Sequence, residues 1–157
     1  MNKQLLIDSS KCTGCGLCEL ACAISKTRQC QPQLARIKVW RDETRGIFVP
    51  MTCLQCENPP CANACLMNVI SKENDKGLTV RRLEACIGCR ACQVSCPFDA
   101  SRYDYIEDVV VNCDHCEGNP ECVKYCPSGA LQYCSLAEAI DCLRNVEAKK
   151  RCIDSGL

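Results

Sequence analysis

Sixteen of the chain's twenty cysteines fall into four groups of four, and the groups repeat. The first is Cys12-x2-Cys15-x2-Cys18-x3-Cys22; the third is Cys86-x2-Cys89-x2-Cys92-x3-Cys96, trailed by Pro97. The second, Cys53-x2-Cys56-x4-Cys61-x3-Cys65, and the fourth, Cys113-x2-Cys116-x5-Cys122-x3-Cys126 with Pro127, lengthen the middle spacing. Thiolates at this density bind soft metal, as tetrahedral zinc or as an iron–sulfur cluster. Two Cys-x2-Cys pairs satisfy zinc, which gives no reason for a third cysteine two residues on or for x3-Cys-Pro. A cubane gives one: three close thiolates wrap three iron corners, and the fourth cysteine points away toward a second cluster. Gly14, Gly16 and Gly88 suit so tight a curl, since glycine accepts positive φ and lets amides approach sulfur. Sixteen ligands at four per cluster imply four [4Fe-4S] clusters, or about 16 iron atoms.

Composition points the same way. Among 157 residues there are only 2 Phe, 1 Trp and 4 Tyr, too few of the largest apolar side chains for a conventional core. Cysteine at this frequency means disulfides or metal. The start, Met1-Asn2-Lys3-Gln4-Leu5-Leu6-Ile7-Asp8, lacks the basic and apolar regions of an export signal and has no twin arginine. No stretch reaches the roughly 18 apolar residues of a membrane span. A cytoplasmic protein with reduced thiols is therefore expected, and metal over disulfides. Nineteen basic residues balance nineteen acidic ones, so no basic patch invites nucleic acid. Loading four clusters of formal charge +2 on sixteen thiolates takes the net charge to about −8, which argues for hydrogen-bonded cluster shells or a covering partner.

The elements between the groups must position these ligands. Val69-Ile70 and Leu78-Thr79-Val80 flank the polar turn 71–77 and read as a hairpin linking groups two and three. Those groups therefore form one ferredoxin-like unit, and groups one and four by exclusion form another, into which the first is inserted. Exchange of fourth cysteines within each unit gives Cys12, Cys15, Cys18 with Cys126; Cys22 with Cys113, Cys116, Cys122; Cys53, Cys56, Cys61 with Cys96; and Cys65 with Cys86, Cys89, Cys92. Pairing one with two and three with four is the alternative. The expected fold is α+β: an outer unit of residues 1–52 and 97–134, an inserted unit of 53–96, and a C-terminal helix over 135–157. Gln4–Ile7 and Ala130–Tyr133 read as strands of the outer unit, and Arg36–Trp40 with Gly46–Val49 as a second hairpin. Helical turns are expected at Leu17–Ser25, Pro60–Ala64, Arg90–Ser95 and Pro120–Tyr125. Ser135 and Glu138 make a capping box ahead of a helix whose Leu136, Ala139, Ile140, Leu143 and Val146 share a face that closes the core or docks a partner.

The order of the groups, with Cys53-Leu54-Gln55-Cys56-Glu57-Asn58-Pro59-Pro60-Cys61, Cys86-Ile87-Gly88-Cys89-Arg90-Ala91-Cys92 and Cys113-Asp114-His115-Cys116, resembles four-cluster iron–sulfur subunits. These are electron-transfer subunits like those of dimethyl sulfoxide reductase, polysulfide reductase, formate dehydrogenase and hydrogenase complexes. The likeness runs from about Leu5 to Leu131 and implies the nested pairing. It also implies a wire: no catalytic site of its own, and a catalytic partner, first of all a tungsten or molybdenum pterin enzyme. Small chains of aldehyde oxidoreductases and benzoyl-CoA reductases come first, carbon monoxide dehydrogenase and hydrogenase assemblies next, with a further flavin or redox subunit as an added partner. Leu66 and Ala23 stand where the family often has proline after the fourth cysteine, which alters local geometry and no ligand.

The remaining residues carry weaker signals. Cys30, Cys134, Cys142 and Cys152 match no metal spacing and are expected to be buried thiols. His115 either donates to a cluster sulfur or, the preferred reading, is a partly exposed side chain. Lys11, Arg90 and Lys124 lie beside ligands, as potential-raising charges or as a solvated face. Gly14-x-Gly16 lacks the third glycine of a dinucleotide fingerprint. With one histidine and no nucleotide loop, the competing functions are a free polyferredoxin and, further off, a zinc-stabilised interaction module.

Overall fold

The computed structural model describes residues 3–73 and 77–154, excepting the side chains of residues 146 and 149–154. Mixed short helices and antiparallel strand pairs alternate along the chain. Strand β1 (Lys3–Ile7) leads through a turn at Ser9–Lys11 into the first cysteine group and helix α1 (Leu17–Thr27). Strands β2 (Lys38–Asp42) and β3 (Ile47–Met51) follow, then α2 (Pro60–Asn63), β4 (Ile70–Glu73) and β5 (Leu78–Arg81). A turn at Leu83–Ala85 precedes α3 (Ala91–Val94), followed by β6 (Arg102–Asp104), β7 (Val109–Val111), α4 (Glu121–Lys124), β8 (Leu131–Ser135) and α5 (Leu136–Asp154).

Four two-stranded ribbons result, each antiparallel: β1 with β8, β2 with β3, β4 with β5, and β6 with β7. The first joins the two ends of the cysteine-bearing region, setting Ile7 opposite Leu131 and Lys3 opposite Ser135. Ribbons this small are marginal alone, so they stand on what they pack against. Ala23, Ala35, Ile37, Val39 and Leu131 bury with Cys18, Cys22 and Cys122 in one core, and Ile7, Phe48 and Cys126 lean on it. Val69, Ile70 and Val110 bury with Cys92 in a second, against Cys61, Cys65 and Tyr103. Thiols supply a large part of both cores, which is how so few aromatics suffice. Helix α1 packs on α4, and α2 on α3.

The ribbon β6–β7 has no counterpart among the sequence expectations. Its strands are three residues each, below the length at which alternation is legible, although Val109-Val110-Val111 is β-branched throughout. Asp104 closes its turn by accepting from the amides of Ile106 (3.0 Å) and Glu107 (3.3 Å). The capping box of α5 forms as read: the Ser135 amide donates to Glu138 Oε2 at 2.7 Å, and the Glu138 amide to Ser135 Oγ at 3.4 Å. Of the apolar face of α5, Ala139 is buried against the β1–β8 ribbon while Leu136, Ile140 and Leu143 stay exposed. The side chain of Val146 lies outside the described residues.

Candidate iron–sulfur sites

Each group opens with a loop that turns on a left-handed residue just before its second cysteine. Gly14 (φ 72°) and Gly88 (φ 63°) fill that place in groups one and three; Gln55 (φ 54°) and His115 (φ 53°) fill it in groups two and four. At both glycines crowding adds to the backbone demand. A Cβ on Gly14 would sit 2.5 Å from the Phe48 ring, and one on Gly88 2.6 Å from the Asp108 carbonyl oxygen. Gln55 is held by its own side chain, whose Nε2 donates to the Cys113 carbonyl (2.6 Å) while Oε1 accepts from the Thr79 amide (2.7 Å). His115 is buried, correcting the expectation of a partly exposed ring. It packs edge-on against Tyr133 with centroids 5.6 Å apart, and burial lowers its pKa, favouring the neutral imidazole.

Two pockets are walled by thiols from distant segments. Cys12, Cys15, Cys18 and Cys126 line one, with Ser128 and Leu131. Cys53, Cys56, Cys61 and Cys96 line the other, with Arg81 and Ser101. Cys22, Cys113, Cys116 and Cys122 also lie together, near enough that the charge of each of the other three would oppose ionisation of Cys122. Cys92 is buried in the second core and Cys65 packs against that core; Cys86 is half-buried and Cys89 exposed on the loop ahead of α3. Among the described residues no three thiol, imidazole or carboxylate groups close around one point as a single metal ion needs. Two of the thiol sets instead ring small pockets.

The electrostatics suit metal-bound sulfur. Burial pushes the Cys18 thiol up to about 12, aided by the Glu19 charge, and pushes Cys113 up to about 11; burial also drives Cys122 far above its ordinary value. Such thiols ionise only when a metal takes the place of the proton. Donors for bound sulfur are already in place. The Arg36 amide points at Cys22 Sγ (3.3 Å) and the Ala100 amide at Cys96 Sγ (3.4 Å). At Cys126, burial pushes the thiol up, but the Ser128 hydroxyl and the amides of Leu131, Ala130 and Ser128 outweigh it, so it titrates below the ordinary value. The donor set fits iron–sulfur clusters, which supply one-electron chemistry when bound.

Lys11, Arg90 and Lys124 are all exposed, as on a solvated face. Lys11 pairs with Asp8 (3.1 Å), Lys124 with Glu121 (2.6 Å), and Arg90 lies over the Tyr103 ring at 3.6 Å. Cys30 is exposed, and Cys134 and Cys142 are half-buried, not the buried thiols expected; the Cys152 side chain lies outside the described residues. Arg81, at the end of β5, donates to Cys92 Sγ, and Asn112 beside it lies near Cys53 Sγ; neither carries a ligand signature in the sequence. Buried Glu19 is a third such residue: it accepts from the Val39 amide (3.1 Å) and pairs with Arg41 (2.6 Å), bracing the first loop.

The chain matches the 4Fe-4S dicluster domain over residues 44–136 and a 4Fe-4S binding domain over residues 5–22. It is 42% identical over 122 residues to the polyferredoxin-like subunit of the aliphatic sulfonate oxidoreductase of Pyrococcus furiosus, covering 78% of this chain and 70% of that one. It is 34% identical over 150 residues to the B subunit of the anaerobic dimethyl sulfoxide reductase of Escherichia coli K12, covering 84% and 73%. Among solved structures it resembles the active-site complex BamBC of benzoyl coenzyme A reductase with benzoyl-CoA, at 27% identity and a TM-score of 0.51 over 93% of this chain and 89% of its counterpart there.

Proposed function

The chain belongs to the 4Fe-4S dicluster family of electron-transfer iron–sulfur proteins, and from that premise we propose that it is a four-cluster wire serving a tungsten or molybdenum pterin oxidoreductase. The observation that carries the reading is the pair of thiol-walled pockets. Each takes three cysteines from one group and the fourth from its nested partner, Cys126 in one and Cys96 in the other. The proximity of Cys22 to Cys113, Cys116 and Cys122, and the place of Cys65 and Cys92 on one core, support the two complementary sets. The outer ferredoxin-like unit comprises residues 1–52 and 97–134, the inserted one 53–96, and α5 closes the chain. The packing of α1 on α4 and of α2 on α3 agrees with this division, while Val110 of the β6–β7 ribbon leans across onto the inserted unit.

Partnership is supported by the surface. Leu66 (81% exposed) and Val94 (87%) stand in water beside the cysteine loops of the inserted unit, and the apolar face of α5 is largely uncovered. A freely diffusing carrier has little use for such side chains, whereas a protein seated on an oxidoreductase buries them. No described helix is long and apolar enough to cross a membrane. The relatives named for sulfonate, dimethyl sulfoxide and benzoyl-CoA enzymes favour a small-molecule oxidoreductase of the pterin class as the partner. Gentle anaerobic purification from the native source tests this. The chain is expected to elute in a larger complex containing tungsten or molybdenum; elution alone, with iron and neither metal, would favour a free polyferredoxin.

A further inference from the structure

Arg81 ends β5 at a position no ligand motif marks. Its Nη1 donates to Cys92 Sγ at 3.1 Å, Nη2 to Ser101 Oγ at 2.8 Å, and Nε to Asn112 Oδ1 at 2.6 Å. The same side chain lines the pocket of Cys53, Cys56, Cys61 and Cys96. Asn112, itself buried, extends the network. Its Nδ2 lies 3.8 Å from Cys53 Sγ and donates to the carbonyls of Thr79 (2.9 Å) and Cys113 (3.0 Å). One guanidinium thus reaches thiols of two proposed clusters. These three partners, a ligand sulfur, a hydroxyl and an amide, include no carboxylate to pair off its charge.

The outer unit supplies an internal comparison. Ile7 precedes Cys12 by five residues as Arg81 precedes Cys86, and each is followed by a single 3-10 turn, Ser9–Lys11 or Leu83–Ala85. At that position the outer unit has an aliphatic side chain leaning on the core. Among the described residues no cationic side chain lines the pocket of Cys12, Cys15, Cys18 and Cys126. The outer-unit arginines near thiols are ion-paired: Arg41 to Glu19 at 2.6 Å, and Arg36, whose amide donates to Cys22 Sγ, to Asp114 at 2.8 Å.

Resting on the ligand sets proposed above, we infer that Arg81 is a tuning residue that raises the reduction potentials of the two inserted-unit clusters above those of the outer unit. Reduction adds one negative charge to a cluster, so a fixed cation hydrogen-bonded to a ligand sulfur stabilises the reduced form more than the oxidised one. Electrons delivered to the chain then settle preferentially on the inserted half.

Redox titration of the anaerobically prepared, cluster-loaded chain, followed by electron paramagnetic resonance, tests this in Arg81→Gln and Arg81→Lys. With Gln, two of four midpoints are expected to fall, the reduced-to-oxidised ratio at fixed poise dropping about tenfold, equivalent to about 59 mV for a one-electron couple. Lys should keep most of the wild-type values. Unchanged midpoints, an equal fall in all four, or a Lys variant as low as Gln would overturn the inference. If Gln loses iron while Lys loads with native potentials, the charge requirement stands; if both lose iron, Arg81 is structural and the inference fails. Fewer than four [4Fe-4S] signals in the unaltered chain would instead sink the ligand sets beneath it.

Discussion

At the scale of single residues, left-handed backbone positions decide whether a cysteine loop can close. Gly88 carries two demands, a φ of 63° and the Asp108 carbonyl 2.6 Å from where a Cβ would go; Gly46, in the β2–β3 turn, has φ 65° and nothing within 4 Å. Left-handed geometry alone costs a non-glycine residue about 1–2 kcal/mol. Gly46→Ala should lose about that much. Gly88→Ala should lose more, since a backbone oxygen must move, and thermal unfolding of the two loaded variants side by side would show the larger drop in Tm at Gly88. The glycines were legible because their type announces their conformation. Gln55 and His115 occupy equivalent places without announcing it: the one is secured by hydrogen bonds to Cys113 and Thr79, the other by burial against Tyr133. Those partners are distant in sequence, and no local pattern reveals them.

At the scale of elements, most of the framework could be read directly. The strands β1 and β8, two hairpins, the helical turns inside the motifs and the capped α5 all follow from spacing, alternation and turn chemistry, while the pairing of β1 with β8 comes from the structure. The β6–β7 ribbon escaped because it is too short to show a period, and Arg81 escaped because a strand-terminal arginine is ordinarily solvated. The nested pairing is testable through two ligands far apart in the chain. If Cys53 and Cys96 hold one cluster, Cys53→Ser and Cys96→Ser should each leave about twelve iron atoms, and the double variant the same number. Sequential pairing places them on different clusters, and the double variant would then retain about eight.

At the scale of the whole molecule, thiols form part of both cores alongside hydrocarbon, and fold and cofactor are one problem. Cys18, Cys22, Cys92 and Cys122 are buried beside apolar residues, at pKa values that burial raises or at the heart of a core. Metal binding that displaces their protons is therefore also folding free energy. On the proposed reading, the exposed apolar residues beside the cysteine loops are where a partner would complete the surface. The central claim, that sixteen of the cysteines hold four cubanes, is tested most directly by iron and acid-labile sulfide per chain, with Mössbauer spectra of the same anaerobic sample. About 16 of each, all in [4Fe-4S] form, is the expected result. Stoichiometric zinc in a colourless protein, or iron near half that value in a fully folded chain, would contradict it.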